Sequence, residues 1–165
     1  MLDIVSFTIQ QVGPCRVSLW TWAIADYEVE CFEAFLQNKT IHDGLLVADR
    51  SAEIKNVTLF KKWRGCFGEN SVKICKNHAK IATVQNDNFR VLIRGSMNLN
   101  FNPRFEQFDI TEGGEDFELI QKIENEIPVS RAGCSNIEAM NASQIGLAFE
   151  KNALSIFEGV RVWAK

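Results

Sequence analysis

Several features are scarce or missing in this sequence of 165 residues, and each absence excludes a class of protein. Three prolines, with no repeat and no low-complexity segment, argue against a collagen-like or disordered chain. No apolar stretch approaches the roughly 20 residues of a membrane span. The opening MLDIVSFTIQQVG lacks the basic segment of a secretory signal. We therefore expect a soluble, cytoplasmic protein that does not bind a membrane.

Metal-binding patterns are also missing. The five cysteines include no pair at C-x-x-C spacing, and the chain has only two histidines. Structural zinc sites combine these residue types at short spacings, so we predict no metal and no other cofactor. An odd number of cysteines in a cytoplasmic chain indicates buried thiols rather than a set of disulfides.

The remaining composition is that of an ordinary globular domain. Hydrophobic residues make up 46% of the chain and charged residues 24%. This length supports one compact core and is short for two. The sequence therefore predicts a single domain over residues 1–165.

The charges are unevenly distributed along a chain whose net charge is −3. The segment 50–104 holds 11 Lys or Arg against 3 acidic residues, whereas the rest of the chain holds 7 against 18. Such a basic segment can attract phosphate locally even when the whole molecule is anionic. A solvated face with scattered lysines gives the same count, and the charge pattern leaves both interpretations open.

Apolar runs alternate with amphipathic segments along the chain. Residues 3–13 fit a strand or a short helix. Buried strands are predicted at 17–25 and 44–50, helices at 26–38 and 57–63, three short strands within 72–96, a possible strand at FDIT, a helix at FELIQKIENEI, a helical stretch around 141–149 and a strand at 159–164. This order predicts an α/β fold in which a mixed β-sheet is flanked by helices on both faces.

One stretch carries a concentration of reactive side chains. His78 and Lys80 are two residues apart on a predicted strand, so their side chains leave the same face. The next strand ends in Gly95-Ser96, and Asn98 follows. A hairpin about the NDN turn would bring these groups to one end of the sheet. Imidazole, ammonium, hydroxyl and carboxamide together suit a phosphodiester, because they can attack phosphorus and hold its oxygens.

H-x-K followed by G-S-x-N resembles the HKD signature of the phospholipase D superfamily, over about residues 72–108. The resemblance implies a phospholipase D-like fold in which His78 is transiently phosphorylated. It implies phosphate binding by Lys80 and Asn98, with support from Ser96. An acidic residue after the second motif often orients the histidine in this family, and Glu106 is our candidate for that role.

Three further residues flank the motif, and we assign Arg94, Asn100 and Arg104 to substrate binding. The family pattern usually has Asp five residues after the lysine, where this chain has Gln85. Asp87 stands two residues later, in the turn. This departure bears on the geometry of the turn more than on the attacking group.

The chain holds only one such motif, whereas the family mechanism uses a histidine from each of two. The second histidine, His42, lies in NKTIHDG, which is typical of a solvated loop. Short members of the family form homodimers in which the two motifs face each other. The resemblance therefore predicts a homodimer with His78 of each subunit in one shared cleft.

Aromatic residues lie near the motif and allow two interpretations. Trp20 and Trp22 share a face of a predicted strand, which favours core packing. Phe101 and Phe105 flank the asparagine-rich loop, where they can pack or stack on a nucleobase.

The leading hypothesis is a metal-independent phosphodiesterase, a nuclease acting on DNA or RNA through a phosphohistidine intermediate. One alternative is an inactive phospholipase D-like protein that binds nucleic acid or serves in assembly. Another is a phospholipid phosphodiesterase, although such relatives usually carry two motifs in one long chain. A fragment of a larger nuclease also fits the sequence.

Overall fold

The computed structural model of the protein describes residues 1–101 and 104–130. The stretches predicted as a helix around 141–149 and as a strand at 159–164 lie outside these ranges. The helices are α1 (Leu2–Val12), α2 (Asp26–Gln37), α3 (Arg50–Lys55), α4 (Val57–Phe67) and α5 (Glu115–Glu126). The strands are β1 (Cys15–Thr21), β2 (Ile41–Asp49), β3 (Val72–Cys75), β4 (Lys80–Gln85), β5 (Arg90–Gly95) and β6 (Phe108–Glu112).

The six strands form one sheet in the order β3-β2-β1-β4-β5-β6. Strands β1, β2 and β3 run parallel, and β4, β5 and β6 each run antiparallel to the preceding neighbour in that order. The predicted mixed α/β architecture is therefore confirmed. The chain moves outward from β1 to β3 and then crosses to the other side of β1, so the strand order reverses beside β1.

The first face of the sheet is covered by α1, α2, α3 and α4. Their apolar side chains form one cluster with alternate residues of the strands, and its largest fully buried members are Phe32, Phe60 and Trp63. Helix α1 contributes Val5 and Ile9, one turn apart and both fully buried. This helical spacing resolves the choice that the sequence left open for residues 3–13 in favour of a helix.

The second face of the sheet packs against α5. Phe117 and Ile120 of this helix join a second cluster that includes Trp20 of the central strand. The buried carboxylate of Glu124 accepts hydrogen bonds from the hydroxyl of Ser18 and, at 2.7 Å, from the indole N–H of Trp20. These donors compensate for the desolvation of a buried carboxylate and fix α5 on β1.

Several elements differ from the sequence-based expectation. Strand β2 begins at Ile41 rather than at residue 44, and α4 continues to Phe67 rather than ending at residue 63. The strand predicted over 17–25 ends at Thr21, whose hydroxyl donates to the carbonyl of Ala23 at 2.6 Å while the chain turns. Helix α3 was not predicted. It begins where the carboxylate of Asp49 accepts a hydrogen bond from the backbone N–H of Ser51 at 2.8 Å, an ordinary N-cap.

None of the helices in residues 1–101 and 104–130 has the length and apolar character needed to cross a bilayer.

Candidate active site

One edge of the sheet collects an end of each of the six strands. The carboxyl ends of β1, β2 and β3 meet there, together with the start of β4, the end of β5 and the start of β6. In open α/β sheets, ligands bind outside the carboxyl ends of the strands, where the strand order reverses. The H-x-K and G-S-x-N motifs both lie at this edge, beside β1.

The segment before β4 is fixed by Asn77, which is only 5% exposed. Its side-chain amide donates to the carbonyls of Thr21 at 3.1 Å and of Val47 at 3.4 Å. Its backbone N–H donates to the Asp49 carboxylate at 3.1 Å, and its side-chain oxygen accepts from the N–H of Ala79 at 2.9 Å. Asn77 thus links β1, β2 and the segment before β4 by hydrogen bonds, which fixes the backbone next to His78.

His78 and Lys80 are in direct contact. The Lys80 Nζ atom lies 2.9 Å from Nδ1 and 3.3 Å from Nε2 of the imidazole, and it donates to the His78 carbonyl at 2.6 Å. The histidine is exposed, whereas Lys80 is buried. Burial lowers the pKa of the Lys80 ammonium, and the charge of Glu106 opposes that decrease. A buried ammonium group is thereby held next to an exposed imidazole.

The hairpin expected from the NDN turn is confirmed. Lys80 pairs with Gly95 across β4 and β5, so the second motif returns to the first. The turn closes through Asn86, whose backbone N–H donates to the carbonyl of Phe89 at 2.9 Å while its side-chain oxygen accepts the N–H of Phe89 at 2.9 Å.

Gly95 and Ser96 bind the segment that leads into β6. A Cβ at Gly95 would stand 2.7 Å from the carbonyl oxygen of Gln107, so the approach of these backbones requires glycine. The Ser96 N–H donates to that carbonyl at 3.1 Å. The Ser96 hydroxyl donates to the carboxylate of Glu106 and accepts the N–H of Gln107 at 3.1 Å. Ser96 therefore positions Glu106, which acts electrostatically on Lys80.

The loop after Ser96 is anchored on the end of β1. The Leu99 N–H contacts the hydroxyl of Thr21 at 3.0 Å and the carbonyl of Ala23 at 3.1 Å. The side-chain oxygen of Asn98 accepts the N–H of Trp22 at 3.3 Å. The Trp22 ring is 43% exposed, and its centroid lies 5.5 Å from that of His78. Trp22 thus connects the two motifs in space.

A cavity of about 310 Å³ adjoins this constellation. Four residues from the sequence-based assignment line it, namely Asn98, Asn100, Arg104 and Glu106. The remaining wall comes from the starts of α1 and α2 and from the loop, with Met1, Leu2, Asp3, Tyr27, Glu28, Met97 and Phe101. The structure therefore brings two of the three residues assigned to substrate binding next to the candidate catalytic groups.

Arg94 lies outside this group. Arg94 precedes Gly95 on β5, so its side chain points to the opposite face of the sheet from Lys80, which pairs with Gly95. This is the face on which α5 packs. There Arg94 binds Asp109 at 3.0 Å and Asp116 at 2.5 Å. It lines a separate depression of about 420 Å³ along β6.

The basic segment 50–104 is partly neutralised in three dimensions. Lys62 pairs with Glu30 and Glu33, and Arg90 pairs with Glu118. These carboxylates, like those that bind Arg94, come from outside the segment. The excess positive charge along the sequence therefore does not amount to an equally basic surface, and the local chemistry at the sheet edge carries more weight.

Two positions discussed from the sequence lie at the opposite edge of the sheet. Gln85 ends β4 and accepts a hydrogen bond from Gln121 of α5 at 2.8 Å. The absence of the usual Asp at position 85 therefore affects packing on α5, about 17 Å along the strand from Lys80. His42 is exposed near the start of β2, also away from the motif.

Three residues of this site were not assigned from the sequence. Trp22 was expected to pack in the core, and Asn77 and Glu28 were not considered. A buried polar residue next to a candidate histidine is a recognisable pattern, so Asn77 could have been found. The proximity of Glu28 depends on how α2 packs against the loop, which no local pattern reveals.

Among residues 1–101 and 104–130, no group of three or more His, Cys, Asp or Glu side chains is arranged to hold a metal ion. The sequence matches no model of a known protein family and no curated protein. The geometry and chemistry of the residues themselves are therefore the basis for inferring a function.

Proposed function

We propose that the protein is a metal-independent phosphodiesterase of the phospholipase D type, a nuclease that cleaves DNA or RNA through a phosphohistidine. The single observation that carries this proposal is the buried Lys80 ammonium held 2.9 Å from the exposed His78 ring. A nucleophile and a phosphate-binding cation then meet the same phosphate group. Asn98, returned by the β4–β5 hairpin, supplies an amide N–H₂ for a second oxygen.

In the first step, an imidazole nitrogen of His78 attacks phosphorus while the bond from phosphorus to the leaving oxygen breaks. The electron pair of that bond stays on the leaving oxygen, which takes a proton from a second imidazolium. Lys80 and Asn98 bind the non-bridging oxygens, whose negative charge is concentrated in the transition state.

In the second step, water attacks the phosphohistidine, and the bond between phosphorus and the imidazole nitrogen breaks. The second imidazole, now neutral, accepts the proton of the water, which restores both histidines. The product is a phosphomonoester and a free hydroxyl. In both steps Lys80 and Asn98 stabilise the negative charge on the non-bridging oxygens.

The second imidazole comes from a second copy of the chain. His42 lies at the opposite edge of the sheet, too far to protonate a leaving group at His78. We therefore assign this role to His78 of the partner subunit, across the axis of a homodimer. Exposure of His78 at the sheet edge is compatible with such an arrangement.

Nucleic acid is the substrate that the surroundings of His78 favour. The half-exposed Trp22 ring beside His78 offers a face on which a base can stack, and Phe101, 84% exposed, offers another. Aromatic platforms next to a phosphate site are typical of proteins that bind single strands.

The test is a nuclease assay on plasmid, single-stranded DNA and RNA in excess EDTA. Wild type is compared with His78→Ala and with His42→Ala as the matched control. Cleavage by wild type and His42→Ala, but not by His78→Ala, is expected. Activity per subunit should also fall on dilution below the dimer dissociation constant, measured by sedimentation.

Cleavage that survives in His78→Ala would overturn the assigned nucleophile. Full activity of a strict monomer would overturn the shared site. If the protein cleaves nothing but binds nucleic acid in a salt-sensitive manner, the alternative of an inactive nucleic-acid-binding protein is supported instead of the nuclease.

A further inference from the structure

The cavity beside the candidate site contains a buried carboxylate that the phosphodiesterase mechanism does not use. Glu28, in the first turn of α2, is only 5% exposed and lines this cavity. Its Oε2 atom is buried and has no hydrogen-bond partner among the described residues. Burial raises the pKa of the Glu28 carboxyl, and a hydrogen bond from its own backbone N–H opposes that increase.

A second hydrogen-bond acceptor that lines the cavity is also buried and without a partner in the described part of the chain. The Oδ1 atom of Asn100 is buried and has no hydrogen-bond partner within the described residues. Buried polar atoms without partners are uncommon because each loses its hydrogen bonds to water. Two of them lining one cavity indicate a site for a ligand that donates hydrogen bonds.

The walls of the cavity suit a flat ring. Phe101 and Tyr27 are 84% and 67% exposed, and both line it. The volume of about 310 Å³ lies at the lower end of the range for small-molecule pockets, which fits one base rather than a base pair. Asn98 and Glu106 belong to the same wall, so a base in the cavity would lie next to the phosphate bound by Lys80.

We propose that this cavity is a nucleobase subsite that selects guanine through Glu28 and Asn100. Guanine presents adjacent donors, N1–H and the 2-amino group, whereas each other common base offers one donor group on its pairing edge. Two acceptors without donors therefore match guanine best. The inference rests on the proposed nuclease function, since it names the base adjoining the cleaved phosphate.

The first experiment needs no variant. Calorimetric titration of the wild-type protein compares guanosine 5′-monophosphate with inosine 5′-monophosphate, which lacks the 2-amino donor, and with the adenosine, cytidine and uridine monophosphates. We expect roughly tenfold tighter binding of the guanosine nucleotide than of the inosine nucleotide. Equal binding of all five nucleotides would overturn the guanine subsite.

The second experiment compares Glu28→Gln with Glu30→Gln. Glu30 is on the same helix but pairs with Lys62, so its variant is a matched control. In Glu28→Gln the amide N–H₂ replaces the unpartnered oxygen and faces the donors of guanine. Sequencing of the cut ends of a randomised single strand should show guanine enriched at one fixed position in wild type and Glu30→Gln. The enrichment should fall roughly tenfold in Glu28→Gln. A thermal melt confirms that each variant is folded.

The outcomes separate this inference from the proposed function. Cleavage without base preference overturns the subsite and leaves the nuclease standing. Absence of cleavage, with guanosine binding that Glu28→Gln weakens, overturns the nuclease and supports the subsite. If the protein neither cleaves nucleic acid nor binds the guanosine nucleotide, both the nuclease function and the guanine subsite are overturned.

Discussion

Trp22 and His78 face each other across the sheet edge, with ring centroids 5.5 Å apart and planes inclined by 45°. Trp22 directly follows β1, and His78 lies in the segment before β4. Each is held by a different backbone anchor, since Asn98 binds the N–H of Trp22 and Asn77 immobilises the residue next to His78. An exposed indole thus lies directly beside the proposed nucleophile.

The first prediction concerns Trp22. We expect Trp22→Ala to weaken binding of a single-stranded oligonucleotide by about 1–3 kcal/mol, because a stacked base loses its platform. Fluorescence anisotropy of a labelled strand measures the affinity. Phe89→Ala is the control, since Phe89 is 38% exposed at the opposite edge of the sheet. Equal affinities of the two variants would exclude a stacking role for Trp22.

The second prediction concerns Asn77. We expect Asn77→Ala to lower the free energy of unfolding by about 2–4 kcal/mol, because buried carbonyls of Thr21 and Val47 lose their donor. Urea unfolding measures the change. The neighbouring Lys76 is exposed, so Lys76→Ala should change stability by less than about 0.5 kcal/mol. A stability loss in Asn77→Ala no larger than in Lys76→Ala contradicts the anchoring role.

The third prediction compares Lys80→Met with Lys76→Met. If Lys80 binds phosphate, its removal abolishes cleavage and lowers the slope of log affinity against log salt by about 1. Burial lowers the pKa of Lys80, so its charged form is less favourable in the folded state than in the unfolded chain. Lys80→Met should therefore be at least as stable as wild type in urea. If Lys80→Met still cleaves and only Lys76→Met loses activity, Lys76 rather than Lys80 binds the phosphate and the proposed role of Lys80 is wrong.

The fourth prediction follows from the buried carboxyl of Glu28. Burial raises the pKa of this carboxyl above its ordinary value of 4.5; Asp3 acts in the same direction and the amino group of Met1 against it. A raised folded-state pKa contributes stability at pH values below the unfolded pKa, and that contribution is lost as pH rises through the folded pKa. At neutral pH the buried charge therefore destabilises the protein.

Glu28→Gln should accordingly be more stable than wild type at neutral pH, and the difference should shrink as pH falls toward 4.5. Urea midpoints between pH 4 and 8 measure this, with Glu30→Gln as the control for the loss of a charge on α2. A variant that is less stable than wild type throughout the range contradicts this prediction.

The sequence contained enough information to predict the centre of the site. The spacing of His78 and Lys80 defines one strand face, and the NDN turn fixes the hairpin that brings back Ser96 and Asn98. Both inferences use short-range geometry, which alternation and turn residues determine well. Pairing of Lys80 with Gly95 also implies that Arg94 leaves the opposite face, so its position next to α5 could have been deduced.

The rest of the site depends on tertiary packing. Trp22 is exposed because β1 ends at Thr21, and that end is set by a hydrogen bond to Ala23 and by the loop residue Leu99. Glu28 reaches the cavity because α2 begins beside the same loop. Contacts between segments more than 70 residues apart leave no periodic pattern in the sequence.

The position of β1 between β2 and β4 has a consequence for biosynthesis. Trp20 pairs with Ile81, so the central strand acquires its second neighbour only after some sixty intervening residues have been made. Such non-local pairing is slow to form. A ribosome-bound chain that ends before β5 therefore carries His78 without Ser96 and Asn98. The candidate catalytic groups come together only when the sheet closes around its first strand.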